Sequence, residues 1–135
     1  QKFSNNIKKL KNKTINWLYK QKKNSKIVIG YGASTKGNVL LQYYNIDSDL
    51  VKFIAERSIG KFGLYTPGSS IKIISEESAR KLNPDYLLIL PWFFLRSFIN
   101  REKKMLKKGT KFIIPQPNLT EVSLNSKNKI IYKLI

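Results

Sequence analysis

Short apolar segments alternate along this chain with longer segments in which apolar residues recur at helical spacing. The short segments are rich in β-branched residues, which is typical of buried strands. They predict strands at 26–30, 50–55, 71–74, 86–90 and 111–115, with a possible last strand at 130–134. The longer segments predict helices over 36–45, 76–82 and 94–107.

This alternation with short connections predicts an α/β fold. Parallel strands need crossover helices, and right-handed crossovers distribute those helices over both faces of the sheet. We therefore expect a Rossmann-like three-layer sandwich, with a mostly parallel sheet of about five strands. Ser75 predicts an N-cap for the second helix, and Gly109 is placed to end the third.

The first part of the chain, residues 1–24, predicts an amphipathic helix. Lysines occupy much of its polar face, and a break is expected near residues 12–14. Its apolar positions are Phe3, Ile7, Leu10, Ile15, Trp17, Leu18 and Tyr19. We expect this segment to connect an upstream domain to the Rossmann-like domain at 25–135.

Composition excludes several kinds of chemistry. The 135 residues include neither cysteine nor histidine, so common zinc sites and histidine-dependent triads cannot form within this chain. The formal charge of +18 suggests nucleic acid, but Lys outnumbers Arg 22 to 4, and Arg is the residue favoured for bidentate base and phosphate contacts. A solvated basic surface is the favoured interpretation. No apolar run approaches the ~20 residues that span a bilayer, so we expect a cytoplasmic protein.

The first predicted strand runs into a glycine-rich turn, Gly30-Tyr31-Gly32-Ala33-Ser34-Thr35-Lys36-Gly37-Asn38, which precedes a helix. Backbone N–H groups at a helix N-terminus favour an anion, and hydroxyls and a lysine add donors. Thr35 stands where the dinucleotide fingerprint has its third glycine, which argues against an ordinary NAD site. The alternative is a turn that only packs strand against helix.

Other residues follow the carboxyl ends of predicted strands, where ligands bind in open α/β sheets. Glu56 lies near the position of the acid that binds a ribose hydroxyl, and Arg57 and Lys61 follow it in a long loop, 57–68. Pro91 and Trp92 end the fourth strand, where the indole could stack on a base or a sugar.

Four separated blocks carry a resemblance to a known family. They are the turn 30–38, the segment 46–50, Glu56-Arg57 with the loop that ends Tyr65-Thr66-Pro67-Gly68, and 84–92. Together they resemble the C-terminal domain of SAM-dependent sugar C-methyltransferases, over about residues 25–120. The family usually has aspartate where this chain has Glu56.

The resemblance implies a tripartite parent enzyme: a zinc-binding N-terminal region, a central S-adenosylmethionine domain and this one. The cofactor and the base would then belong to the central domain, so this domain would hold no cofactor, no metal and no catalytic residue. It would help to bind a nucleotide-linked keto-sugar and be inactive alone. The implied binding residues are Gly30, Tyr31, Gly32, Ala33, Ser34, Thr35, Lys36, Gly37, Asn38, Glu56, Arg57, Lys61, Tyr65, Pro91 and Trp92. Two alternatives stay open: a stand-alone nucleotide or NAD(H)-binding module, and a basic nucleic-acid-binding domain.

Overall fold

The structure of the chain, a computed structural model, describes residues 2–135 apart from the side chains of residues 2–4 and Trp92. The helices are α1 Lys2–Lys23, α2 Thr35–Tyr43, α3 Glu76–Lys81, α4 Leu95–Arg101 and α5 Lys103–Lys107. The strands are β1 Val28–Tyr31, β2 Ile54–Glu56, β3 Ile73–Ser75, β4 Tyr86–Ile89, β5 Lys111–Ile114, β6 Thr120–Leu124 and β7 Ile130–Leu134. Short 3-10 turns occur at Ile59–Lys61 and Trp92–Phe94.

The strands form one sheet in the order β3-β2-β1-β4-β5-β6-β7. The first five in that order run parallel, as the sequence predicted, and β6 and β7 add an antiparallel hairpin. The expected strand count of about five is therefore corrected to seven. The strand at 130–134 is confirmed, and β6 was not predicted, since Val122 is its single fully buried side chain.

Side chains alternate between the two faces of the sheet, and each face has its own apolar cluster. The cluster beneath α1 and α2 contains Leu18, Leu41 and Ile113, whereas the opposite cluster contains Phe98, Leu106 and Phe112. Helices therefore cover both faces, and the predicted three-layer α/β architecture is confirmed.

Helix α1 is continuous, so the expected break near residues 12–14 is wrong. The hydroxyl of Thr14 donates to the Leu10 carbonyl at 2.8 Å, which satisfies this buried group inside the helix. Trp17 and Leu18 are buried, and Trp17 packs edge-on against Tyr86. The Phe3 side chain lies outside the described residues. Among the described helices, none is long and apolar enough to cross a bilayer.

The single helix expected over 94–107 is two helices, α4 and α5, joined at Glu102. This residue has φ −106° and ψ 26°, outside helical values. Its carboxylate is buried, with Arg80 and Tyr31 as hydrogen-bond partners. The local sequence favours an unbroken helix, and those distant partners explain why Glu102 departs from it.

The loop at 57–68 begins at the carboxyl edge of the sheet but does not stay there. The middle part of the loop runs antiparallel to the segment that leads into β3. Tyr65 and Lys72 form an isolated antiparallel β-bridge there. Further on, Gln42 of α2 donates to the Pro67 carbonyl at 2.6 Å. The loop thus covers the outer edge of β3, and only its first residues remain near the end of β2.

Each glycine of the first turn packs tightly against protein atoms. A Cβ on Gly30 would meet the side chain of Ile54, and one on Gly37 would lie 2.7 Å from Leu90 Cβ. Gly32 has φ +90°, which L-residues rarely adopt, and a Cβ there would lie 2.8 Å from the Pro91 ring. Packing alone therefore accounts for glycine at these positions.

We expect Gly32→Ala to destabilise the fold by about 2–4 kcal/mol. The positive φ costs ~1–2 kcal/mol, and crowding against a rigid proline ring adds a similar amount. Urea unfolding checks this, with Gly60→Ala as the control, because a Cβ on Gly60 meets nothing within 4 Å. The control is expected to change stability by less than ~0.5 kcal/mol. Equal stability of the two variants would contradict the packing account.

Candidate functional site

A cleft of about 200 Å³ opens at the carboxyl edge of the sheet. The ends of β1 and β2, the loop after β4 and the helices α3 and α4 enclose it. Its lining consists of Tyr31, Gly32, Ala33, Ser34, Glu56, Arg57, Lys61, Glu76, Pro91, Phe94, Phe98 and Arg101. Residues from three of the separated blocks of the sequence therefore meet at one place, as expected for the carboxyl edge of a parallel sheet.

Glu56 joins the two loops that form one wall of the cleft. Its Oε1 accepts from the Ala33 N–H at 2.9 Å, and its Oε2 accepts from the Ser58 N–H at 2.8 Å. Burial alone would raise the pKa of Glu56, but these N–H groups, the Ser58 hydroxyl and the charge of Lys61 together lower it. The carboxylate is thus ionised at neutral pH and holds the glycine turn in place.

Two cations stand beside Glu56. Lys61 Nζ donates to the Ala33 carbonyl at 2.9 Å, so the lysine binds the same turn from the other side. Arg57 is exposed and has no ion-pair or hydrogen-bond partner for its side chain among residues 2–135 as described. Arg57 therefore brings a positive charge that is not engaged in an ion pair to the wall of the cleft.

Helix α2 begins at the cleft. Ser34 is its N-cap, and the Ser34 hydroxyl oxygen accepts from the Gly37 N–H at 3.0 Å. The N–H groups of Thr35 and Lys36, in the first turn, have no partner within the part of the chain that the structure describes. These N–H groups and the helix dipole give this end of α2 a positive potential.

Several other predicted binding residues, Gly30, Gly37, Asn38 and Tyr65, do not line the cleft. Gly30 and Gly37 are buried in packing, and Asn38 has a buried Oδ1 without a partner among the described atoms. Tyr65 lies on the part of the loop that leaves this edge. Trp92 belongs to the loop after β4, but its side chain lies outside the described residues. Binding roles for these residues stay predictions.

Thr35 and Lys36 line a second depression, which we name the α1–α2 groove. It measures about 500 Å³ and is mostly apolar, with Ile7, Leu10, Thr35, Lys36, Val39, Leu40, Tyr43, Tyr44 and Gln116 along it. The Lys36 ammonium also lies 5.0 Å from the centre of the Phe93 ring. The start of α2 therefore separates the groove from the cleft.

Sequence reasoning missed the charged residues on the far wall of the cleft, Glu76 and Arg101. Arg101 Nη1 donates to Glu76 Oε2 at 2.7 Å, and Arg80 binds both Glu76 and Glu102. The Tyr31 hydroxyl donates to Glu102 Oε2 at 2.5 Å, so the predicted ligand-binding tyrosine points into this network. Glu76 and Arg101 stood on predicted helices, where charges are ordinary surface features, so no local signal marked them.

Burial and hydrogen bonding together set the ionisation of Tyr31 and Glu102. Burial raises the pKa of Tyr31, and the adjoining carboxylate of Glu102 raises it further. Burial also tends to raise the pKa of Glu102, but the bonds from Arg80 and Tyr31 outweigh it and lower that pKa. Tyr31 is therefore a neutral donor and Glu102 a buried carboxylate at neutral pH. Among the described residues, no group of three or more acidic residues could hold a metal ion.

Comparison with known proteins gives two findings. Residues 1–117 match the family described as the C-methyltransferase C-terminal domain, a match that ends before β6. The C-methyltransferase NovU of Streptomyces niveus is 39% identical over 101 residues, which make up 75% of this chain and 24% of the relative. The chain thus spans about a quarter of the length of that curated relative.

We expect Glu102→Gln to lower the free energy of unfolding by about 3 kcal/mol at pH 7, because Arg80 loses a buried anionic partner. The folded-state pKa of Glu102 is lowered, so its stabilisation is present above ~pH 4 and is lost as pH falls through the folded value. The difference between wild type and variant should therefore shrink below ~pH 4.

Urea unfolding between pH 7 and 3 measures this, with Glu77→Gln as the matched control. Glu77 is 75% exposed and, within the described part of the chain, pairs only with the equally exposed Lys81. A difference between wild type and Glu102→Gln that stays constant over the whole pH range would contradict the role given to the carboxylate.

Proposed function

The chain belongs to the C-methyltransferase C-terminal domain family, and we propose that it binds and positions a nucleotide-linked keto-sugar for carbon methylation elsewhere in the same enzyme. The observation that supports this most is the convergence of three cations on the cleft. Arg57, Lys61 and Arg101 line it, beside the start of α2. A diphosphate, with two negative charges and many acceptor oxygens, matches such a set.

The size of the cleft fits one part of such a ligand. Pockets for small molecules usually measure ~300–1,000 Å³, and this cleft measures about 200 Å³. We propose that it holds the diphosphate and part of the sugar, while another part of the enzyme covers the remainder. Ile59, Phe93 and Phe94 are at least half exposed around this edge, and exposed apolar side chains of this kind are common at contact surfaces.

The proposed share of this chain in the reaction is positioning. Removal of a proton next to a keto group makes the adjoining carbon nucleophilic, and that carbon must then face the methyl donor. S-adenosylmethionine, bound outside this domain, would supply the methyl group. The residues of the cleft would fix the diphosphate, and this remote binding energy would orient the sugar carbon. We also propose a cytoplasmic location for this chain.

Calorimetric titration with UDP-glucose and TDP-glucose tests the binding. We expect saturable binding to the 135-residue chain, and a loss of about tenfold in affinity for Arg57→Ala, since the substitution removes a free cation from the cleft. Lys52→Ala is the control: it removes the same charge near the other end of β2. No binding at millimolar ligand, or equal effects of both substitutions, would contradict the proposal.

Two further titrations discriminate the alternatives. NADH tests the dinucleotide-binding module, and a short DNA duplex at 50 and 200 mM salt tests nucleic-acid binding, which collapses with salt when phosphate contacts dominate. We expect both to bind more weakly than the nucleotide-linked sugars. NADH binding tighter than that of either sugar nucleotide would favour the stand-alone module.

We expect the chain alone to transfer no methyl group. The proposed cofactor site and catalytic base lie outside this chain, so a sugar bound to the chain would meet neither the methyl donor nor the base. An assay with S-adenosylmethionine and a nucleotide-linked keto-sugar checks this by mass spectrometry of the sugar. Repeated methyl transfer by the isolated chain would contradict the proposal that the cofactor and the base belong to another part of the enzyme.

A further inference from the structure

Arg101 lies in the far wall of the cleft, opposite Arg57 and Lys61, and is held there by a single nitrogen. Its Nη1 donates to Glu76 Oε2 at 2.7 Å and to the Tyr31 hydroxyl at 3.3 Å. The guanidinium carbon also lies 5.3 Å from the centre of the Phe98 ring, a cation–π distance. Three contacts from three elements therefore fix the plane of the guanidinium.

The other edge of this guanidinium is unused. Nε and Nη2 have no partner within the described part of the chain, although the side chain is only 24% exposed. This edge presents two parallel N–H donors, the geometry that binds two oxygens of one phosphate. Because neither nitrogen is fully buried, this two-donor edge is accessible to a ligand that enters the cleft.

The groups that hold Arg101 are themselves fixed. Glu76 is also bound by Arg80 Nη2 at 3.2 Å, and Tyr31 donates its hydroxyl hydrogen to Glu102. Arg80 in turn binds both oxygens of Glu102. Two arginines and two glutamates balance in charge, so the network keeps Arg101 oriented without an excess of buried charge.

We propose that Arg101 binds a phosphate of the ligand through its Nε–Nη2 edge, with Glu76 and Tyr31 as positioning residues. The proposal rests on the proposed function, because it names the residue that holds the diphosphate. Arg57 and Lys61 stand on the other wall, so the phosphate lies between cations from both sides of the cleft. Since the arginine is oriented before the ligand arrives, binding loses little side-chain entropy.

The test compares Arg101→Ala and Arg101→Lys with wild type in titrations of uridine diphosphate and of uridine. We expect both variants to bind uridine diphosphate about ten- to a hundredfold more weakly. Lysine keeps the charge and the pairing with Glu76 but lacks the planar two-donor edge, so it should not restore affinity. Uridine, which has no phosphate, should bind weakly and equally to wild type and to both variants.

Arg96→Ala is the matched control, because Arg96 is an exposed arginine on the same helix and outside the cleft. We expect wild-type affinity for it. Urea unfolding identifies variants that do not fold. If Arg101→Ala does not fold, the affinity of Arg101→Lys for uridine diphosphate tests the proposal.

Full affinity of folded Arg101→Lys for uridine diphosphate would overturn the role of the two-donor edge. An equal loss for uridine would overturn the phosphate contact. In both cases the proposed function stands, because wild type still binds. A wild-type chain that binds neither uridine diphosphate nor a nucleotide-linked sugar contradicts the proposed function itself, and this proposal with it.

Discussion

The carboxylate of Glu56 is the interaction on which the rest of the candidate site depends. It sits at the end of β2 and binds N–H groups from two loops, at Ala33 and at Ser58. Lys61 then reaches back to the Ala33 carbonyl, so both polar groups of one turn residue are engaged. Without an acceptor at that position, the buried Ala33 N–H would lose its partner, and such a loss costs about 1–3 kcal/mol. The Glu56 carboxylate thus holds together the two loops that form this wall of the cleft before any ligand is present.

The architecture could be predicted from the sequence because it depends on local pattern. Apolar β-branched runs identified the parallel strands, and Ser75 correctly identified an N-cap. Interactions between distant residues were not predictable in this way. Glu56 was interpreted as a ligand-binding acid, yet the N–H that it binds at Ala33 lies 23 residues away. Likewise, Glu102 interrupts a helix because of partners on α3 and β1, which no local pattern reveals.

The glycine turn shows how one motif can satisfy two demands. Gly32 is required by its positive φ and by the Pro91 ring, which lies 2.8 Å from the position its Cβ would take. Gly32 and Pro91 also line the cleft, at the edge between β1 and β4 where a dinucleotide fold opens for its ligand. From there the cleft extends toward β2, α3 and α4, where Arg57, Lys61 and Arg101 stand. The turn therefore serves both the packing of β1 against the residues after β4 and the lining of the cleft.

The central claim is that this cleft receives the diphosphate of a nucleotide-linked sugar. The most direct measurement is a ¹⁵N–¹H NMR titration of the chain with TDP-glucose, observing backbone amides and arginine Nε–H groups together. The account predicts saturable shifts at Ala33, Ser34 and Ser58 and at the Nε–H of Arg57 and Arg101, with β7 unchanged. Shifts confined to the lysine-rich face of α1, or no shifts at the cleft at saturating ligand, would contradict it.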